Sequence, residues 1–173
     1  MRREVGIIKG VAAGATFSDD DLYRTELYRE MADGPAVLFI GLNPSIAGGL
    51  INDPTIVREM GFAKSWGKGV LWKGNLFDFR STDPSVMRKA AKPCSEGNDL
   101  ALLAMAKRPA VDLVIAAWGP PGALHNRDFI VRKMFHEAGI ELHAIAFTDS
   151  GYPRHPLYLK GDLLPKPYPF SKP

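Results

Sequence analysis

The chain reads as an α/β protein, a three-layer αβα sandwich around a short, mostly parallel central sheet. Two observations predict it. Four apolar runs of strand length, residues 36–42, 70–77, 111–118 and 140–147, alternate with stretches of helical periodicity. The first and third, AVLFIGL and VDLVIAAW, are nearly continuous in apolarity, as strands covered on both faces are. Parallel neighbours need crossover connections, and those crossovers pack on the sheet.

The opening stretch, MRREVGIIKGVAAGA, has the outline of an export signal, but Lys9 and three glycines interrupt its apolar part, so export is not expected. Residues 22–30, LYRTELYRE, admit two readings, an added edge strand or a short helix, of which the strand is preferred. After the first apolar run a helix is expected over residues 54–66. Asp53 suits its N-cap, Pro54 its first position, Ile56, Met60 and Ala63 share a face, and Gly67 can end it. A second helix is expected over residues 95–107, with Leu100, Leu103 and Ala104 on one side and Pro109 as terminator. A third spans residues 123–138, with Ile130 and Met134 four apart and Gly139 just past the end. The tail at 161–173 holds too many prolines for a helix or central strand and is expected to lie extended over the surface of a single domain covering 1–173.

Composition bounds the function. Of 173 residues, 46% are hydrophobic and 24% charged, the balance of a globular protein rather than a disordered one. A chain of this length buries roughly 70% of its unfolded surface, enough for a core without staples. Cys94 is the only cysteine, so an internal disulfide and a cysteine-built zinc or iron–sulfur site are excluded. The four histidines show no HxH or HExxH spacing, so no metal and no other cofactor is expected. A reducing cytoplasm fits this usage, and no run approaches the roughly 18 apolar residues that cross a bilayer. Net charge is +3, concentrated in residues 56–92, with eight basic and three acidic residues, and 151–173, with four and one. Such asymmetry fits a polyanionic partner, nucleic acid or nucleotide, and equally a solvated cationic face.

Ligands of open parallel sheets bind beyond the carboxyl ends of the strands. Here those ends read GLNPS, NLFDFR, AWGPPG and FTDSGYPRHPLYL. Gly41 permits close approach, Pro44 fixes the turn before Ser45, and Asn43 presents an amide where the chain leaves the sheet. Asn43 serves either a ligand or its own Asx turn. Asn75 and Phe77 project to one face of a strand, as a base-reading amide beside a stacking ring or as a satisfied asparagine beside a core ring; Arg80 follows them. Trp118 and Gly119 precede a helix start carrying Arg127, where backbone N–H groups and a guanidinium suit phosphate, although Trp118 suits the core better. Arg154 and His155 stand before Pro156, where an imidazole can stabilise charge on a leaving group.

In order, GLNPS at 41–45, DPT at 53–55, GFAKSWG at 61–67, NLFDFRSTDP at 75–84, AWG at 117–119 and RHPLYL at 154–159 resemble an uncharacterised bacterial and phage domain family over about residues 17–170. More distantly the chain resembles the uracil-DNA glycosylase superfamily, an αβα sandwich with strand order 2-1-3-4. The mismatch-specific branch has Gly-Ile-Asn-Pro-Gly where this chain has GLNPS. The resemblance implies that Asn43 positions the attacking water, Asn75 reads the base, Trp118 and Gly119 close the third strand, and His155 with Pro156 forms the final His-Pro motif.

The chain departs from that pattern at HPLY, which replaces His-Pro-Ser-Pro, in lacking cluster-ligating cysteines, and in having no aspartate inside the first motif. Asp53, in the following loop, either takes the aspartate's role or only caps the helix. The function expected is a nucleobase-processing, N-glycosylase-like hydrolase acting on nucleic acid or nucleotides, with Asn43, His155 and Asp53 catalytic. The alternative is a non-catalytic nucleotide or modified-base binding module.

Overall fold

The computed structural model describes residues 1–46 and 48–171. The chain opens with an antiparallel hairpin, β1 (Arg2–Ile8) and β2 (Val11–Phe17), joined at Lys9 and Gly10. Both turn residues have positive φ, 49° and 81°, the backbone that a two-residue hairpin requires to match strand twist. β3 (Arg24–Glu30) folds back onto β2. Then follow β4 (Ala36–Gly41), α1 (Pro54–Ser65), β5 (Val70–Asn75), α2 (Pro84–Lys89), α3 (Asn98–Ala106) and β6 (Val111–Ala116). A 3₁₀ segment (Pro120–Asn126), α4 (Arg127–Glu137), β7 (His143–Ala144), a 3₁₀ turn (Pro156–Tyr158) and β8 (Lys166–Pro167) complete the order.

The strands form one eight-stranded sheet in the order β1-β2-β3-β5-β4-β6-β7-β8. This overturns the expected short, mostly parallel sheet of a three-layer sandwich. The sheet is mixed, and four of its seven pairings are antiparallel: β1 with β2, β2 with β3, β3 with β5, and β7 with β8. β5, β4, β6 and β7 are parallel neighbours. The extra strands escaped hydrophobic pattern because β2 is built of small residues, VAAGATF, and β8 lies in the proline-rich tail.

Individual elements differ too. Residues 24–30 are a strand, but an interior one between β2 and β5. Of the apolar run 140–147 only His143 and Ala144 pair with the sheet. The expected third helix breaks at His125 and Asn126, both at positive φ, and its first part is 3₁₀. α2, capped by Asp83 and started by Pro84, was not foreseen.

β4 is buried along its whole length and divides the core. Leu38 and Ile40 pack with Leu102, Met105, Val131 and Phe135 beneath α3 and α4. Val37 and Phe39 pack on the opposite side with Ile56, Phe62 and Ala63 of α1. Each fully buried Leu or Phe contributes roughly 1.5–3 kcal/mol, so this central strand ties the two cores together. Gly74 lets α3 approach β5, since a Cβ there would lie 2.5 Å from Leu102 Cδ2.

Two details aim side chains at one edge of the sheet. The ladder continues past the ends of the parallel strands, with Leu76 N–H donating to Gly41 O, Phe77 N–H to Leu42 O and Ala117 N–H to Ile40 O. A β-bulge between β2 and β3 makes Phe17 face Arg24 while Thr16 faces Glu26, so Thr25 is the extra residue. The bulge leaves Arg24 opposite Phe17, a member of the core beneath α1.

Candidate functional site

A cavity of about 600 Å³ opens at the carboxyl ends of β4, β5 and β6. Arg24, the start of α1, Ser81, Thr82, Pro84 and parts of the 148–158 loop also line it.

From the end of β4 come Gly41, Asn43 and Ser45. Asn43 spends its amide N–H groups on the carbonyls of Ser81 at 2.8 Å and Pro44 at 3.2 Å, which fixes the side chain and leaves Oδ1 as the group it offers. Pro44 itself lies outside the wall, and its carbonyl also accepts from Ser81 N–H. Asp53 caps α1, accepting from Ile56 N–H at 2.8 Å through Oδ1, while Oδ2 accepts from the Ser45 hydroxyl at 3.2 Å. It is therefore both a cap and part of the cavity wall.

β5 supplies Lys73 and Asn75, two residues apart and on one face. Asn75 is 2% exposed, and among the described residues its side-chain amide has no hydrogen-bond partner. Gly41 makes room for both side chains. A Cβ there would lie 2.7 Å from Lys73 Nζ and 2.9 Å from Asn75 Oδ1. Lys73 pairs with Glu59 of α1, itself fully buried. Burial pushes the Glu59 carboxyl up and the Lys73 ammonium opposes that shift, while Oε2 is left without a partner.

The last loop contributes Arg154 and His155. Leu157 N–H donates to His155 Nδ1 at 3.3 Å, so the neutral ring carries its proton on Nε2. Burial, reinforced by Lys73 and opposed by Asp53, holds the imidazole below its ordinary 6.5. His155 is thus a neutral N–H donor at physiological pH.

Arg24, at the start of β3, is 3% exposed yet lines the cavity. Among the described residues its guanidinium has neither a hydrogen bond nor an ion pair. Burial pushes it down to about 10, with Asp53 opposing, which leaves it cationic at neutral pH.

Other residues singled out in the sequence lie elsewhere or act differently. Phe77 is in the core beneath α3 and α4. Trp118 belongs to the same core at 2% exposure while still reaching the cavity wall. Arg80 donates to the carbonyls of Asp21 and Ile46 and covers the Phe17 ring. Arg127 donates to Leu76 O at 2.7 Å and pairs with Asp99. Gly119 lines the wall, but Pro120 and Pro121 follow it and have no N–H, so the expected backbone phosphate cradle lacks its donors.

The two basic segments also do not ring the cavity. Of their charged residues that the structure describes, only Lys73 and Arg154 line it. Lys68 pairs with Asp112, Lys92 with Glu96, and Arg58 donates to Leu159 O.

Sequence reading missed Arg24, Lys73 and Glu59. A lysine inside the apolar run VLWKGNLF and a glutamate sharing the helix face of Ile56 and Ala63 were the available signals, because such charges are buried only with partners. Arg24 gave none, since the bulge that turns it inward depends on pairing with β2.

A family model described as "Protein of unknown function (DUF1643)" matches residues 24–157. The chain belongs to this family. No curated protein and no solved structure matches it. The DUF1643 span begins at Arg24 and ends at Leu157, so it includes every residue of the cavity wall except Tyr158, while the β1–β2 hairpin lies outside it.

Proposed function

We propose that this cavity binds a nucleobase-bearing ligand and hydrolyses its N-glycosidic bond. The reading is supported by one convergence: Asn43, Asp53, Asn75 and His155, from four separate stretches of chain, face a single cavity. In hydrolysis a water oxygen bonds to the sugar's anomeric carbon, the carbon–nitrogen bond breaks, and its electron pair leaves with the base. Asn43 Oδ1 holds the water, Asp53 takes up its proton and balances positive charge on the sugar, and the Nε2–H of His155 donates to the departing base. The unpartnered Asn75 amide pairs with the base edge, which offers the donors and acceptors that the protein withholds from it.

One observation favours a second reading, a binding module without hydrolysis. Asp53 already accepts from Ile56 N–H and Ser45 Oγ–H, and both bonds weaken it as a proton acceptor. Single-turnover assays on free nucleotides and on oligonucleotides with deaminated or modified bases separate the two. Hydrolysis releases free base, and Asn43→Ala and His155→Ala abolish release while remaining folded. Ligand-dependent thermal stabilisation with no base released identifies the binder.

A further inference from the structure

We propose that Arg24 is the phosphate-binding residue of the cavity and that the ligand is a free nucleoside monophosphate rather than a base within a polynucleotide. For the base, this rests on the function proposed above.

The guanidinium of Arg24 is buried, lines the cavity and has no carboxylate or carbonyl partner among the described residues. Asp53 influences it most among the acids, but both Asp53 oxygens are engaged by Ile56 N–H and Ser45 Oγ–H. An unpaired buried charge is costly, and the fold goes out of its way to create this one. Without the bulge at Thr16 and Phe17, Arg24 would not stand opposite Phe17. A bound anion removes that cost, and a planar guanidinium matches two phosphate oxygens at once. Arg154 lines the same cavity, as does Lys73, whose charge is met from behind by Glu59.

The position of these charges selects the class of phosphate. A base extruded from a polynucleotide enters its pocket while the flanking phosphodiesters stay outside and need a basic rim. Here, among the described basic residues of the two basic segments, only Lys73 and Arg154 line the cavity, and Arg24 and Lys73 lie inside, at 3% and 5% exposure. A terminal phosphomonoester, with roughly two negative charges, can reach a buried guanidinium, whereas a phosphodiester held in a continuous strand cannot follow it there. The cavity, about 600 Å³, lies in the size range of pockets for small ligands.

Calorimetric titration tests this with four nucleosides, their 5′-monophosphates, inorganic phosphate and a single-stranded oligonucleotide. At least one monophosphate should bind the wild-type chain about tenfold or more tighter than its nucleoside and tighter than the oligonucleotide, and Arg24→Gln should bring the pair to within about twofold. The wild-type comparison stands even if that variant does not fold. Nucleosides that bind equally well with and without phosphate, or an oligonucleotide that binds best, overturn this inference and leave the nucleobase reading standing. Inorganic phosphate bound by the wild type and lost in Arg24→Gln, with every nucleoside compound ignored, overturns the nucleobase reading and keeps Arg24 as the phosphate residue. Silence from all probes overturns both.

Discussion

Lys73 Nζ lies 2.5 Å from Glu59 Oε1, with 6% and 0% of the two side chains exposed, so the cavity wall is backed by an ion pair inside the core. Breaking such a pair leaves a lone buried charge, whereas removing both charges removes the desolvation cost as well. Lys73→Met should lower stability by about 3–5 kcal/mol. Adding Glu59→Gln should restore most of that loss, as measured by urea unfolding. A double variant no more stable than Lys73→Met would show that the pair is not a unit.

Among the described residues the Asn75 side-chain amide has no hydrogen-bond partner, so it contributes little to folding. Asn75→Ala should change stability by less than about 1 kcal/mol, since no side-chain hydrogen bond among the described residues is lost. Ligand affinity should fall by about tenfold or more in the same variant. A large loss of stability with affinity intact would make Asn75 structural.

His155 is held below its ordinary 6.5 in the fold, so in the window just under pH 6.5 the unfolded chain binds protons that the folded chain refuses. The stability tied to the neutral ring is complete above pH 6.5 and drains as pH falls toward the lowered folded value. Unfolding free energy should therefore drop more steeply between about pH 7 and 5.5 in the wild type than in His155→Gln. Equal slopes would show that the ring is not kept neutral.

Arg127 tests the discarded phosphate cradle. It ties α4 to Leu76 O and Asp99, away from the cavity. Arg127→Met should cost about 1–3 kcal/mol by leaving a buried carbonyl without its donor. Affinity for nucleoside monophosphates, measured well below the melting temperature, should stay within about twofold of wild type.

Much of the site's local framework was legible because its signals are local. Asp53, Pro54 and the spacing of Ile56 and Ala63 announce α1, and the unbroken apolarity of residues 36–41 announces a strand buried on both faces. Apolarity reports burial, however, not pairing. Leu142 and Ile145 are buried, yet only His143 and Ala144 join the ladder. The reverse holds in β2, where Gly14 and Ala15 are buried but small because Tyr28 lies against the first and Gly49 against the second. Strand partners are set by contacts between distant segments, so neither the mixed sheet nor the inward turn of Arg24 could be read from any single window of sequence.

Arg24 and His155 stand at opposite ends of the family span, yet they meet in one cavity because β3 pairs with β5 rather than with its successor in the chain. The walls therefore come together only after several long loops have closed, a topology that slows folding. Binding of the proposed ligand should therefore lag in refolding: fluorescence of the tryptophans can recover as the two cores collapse, while affinity returns only when the last distant pairing is made.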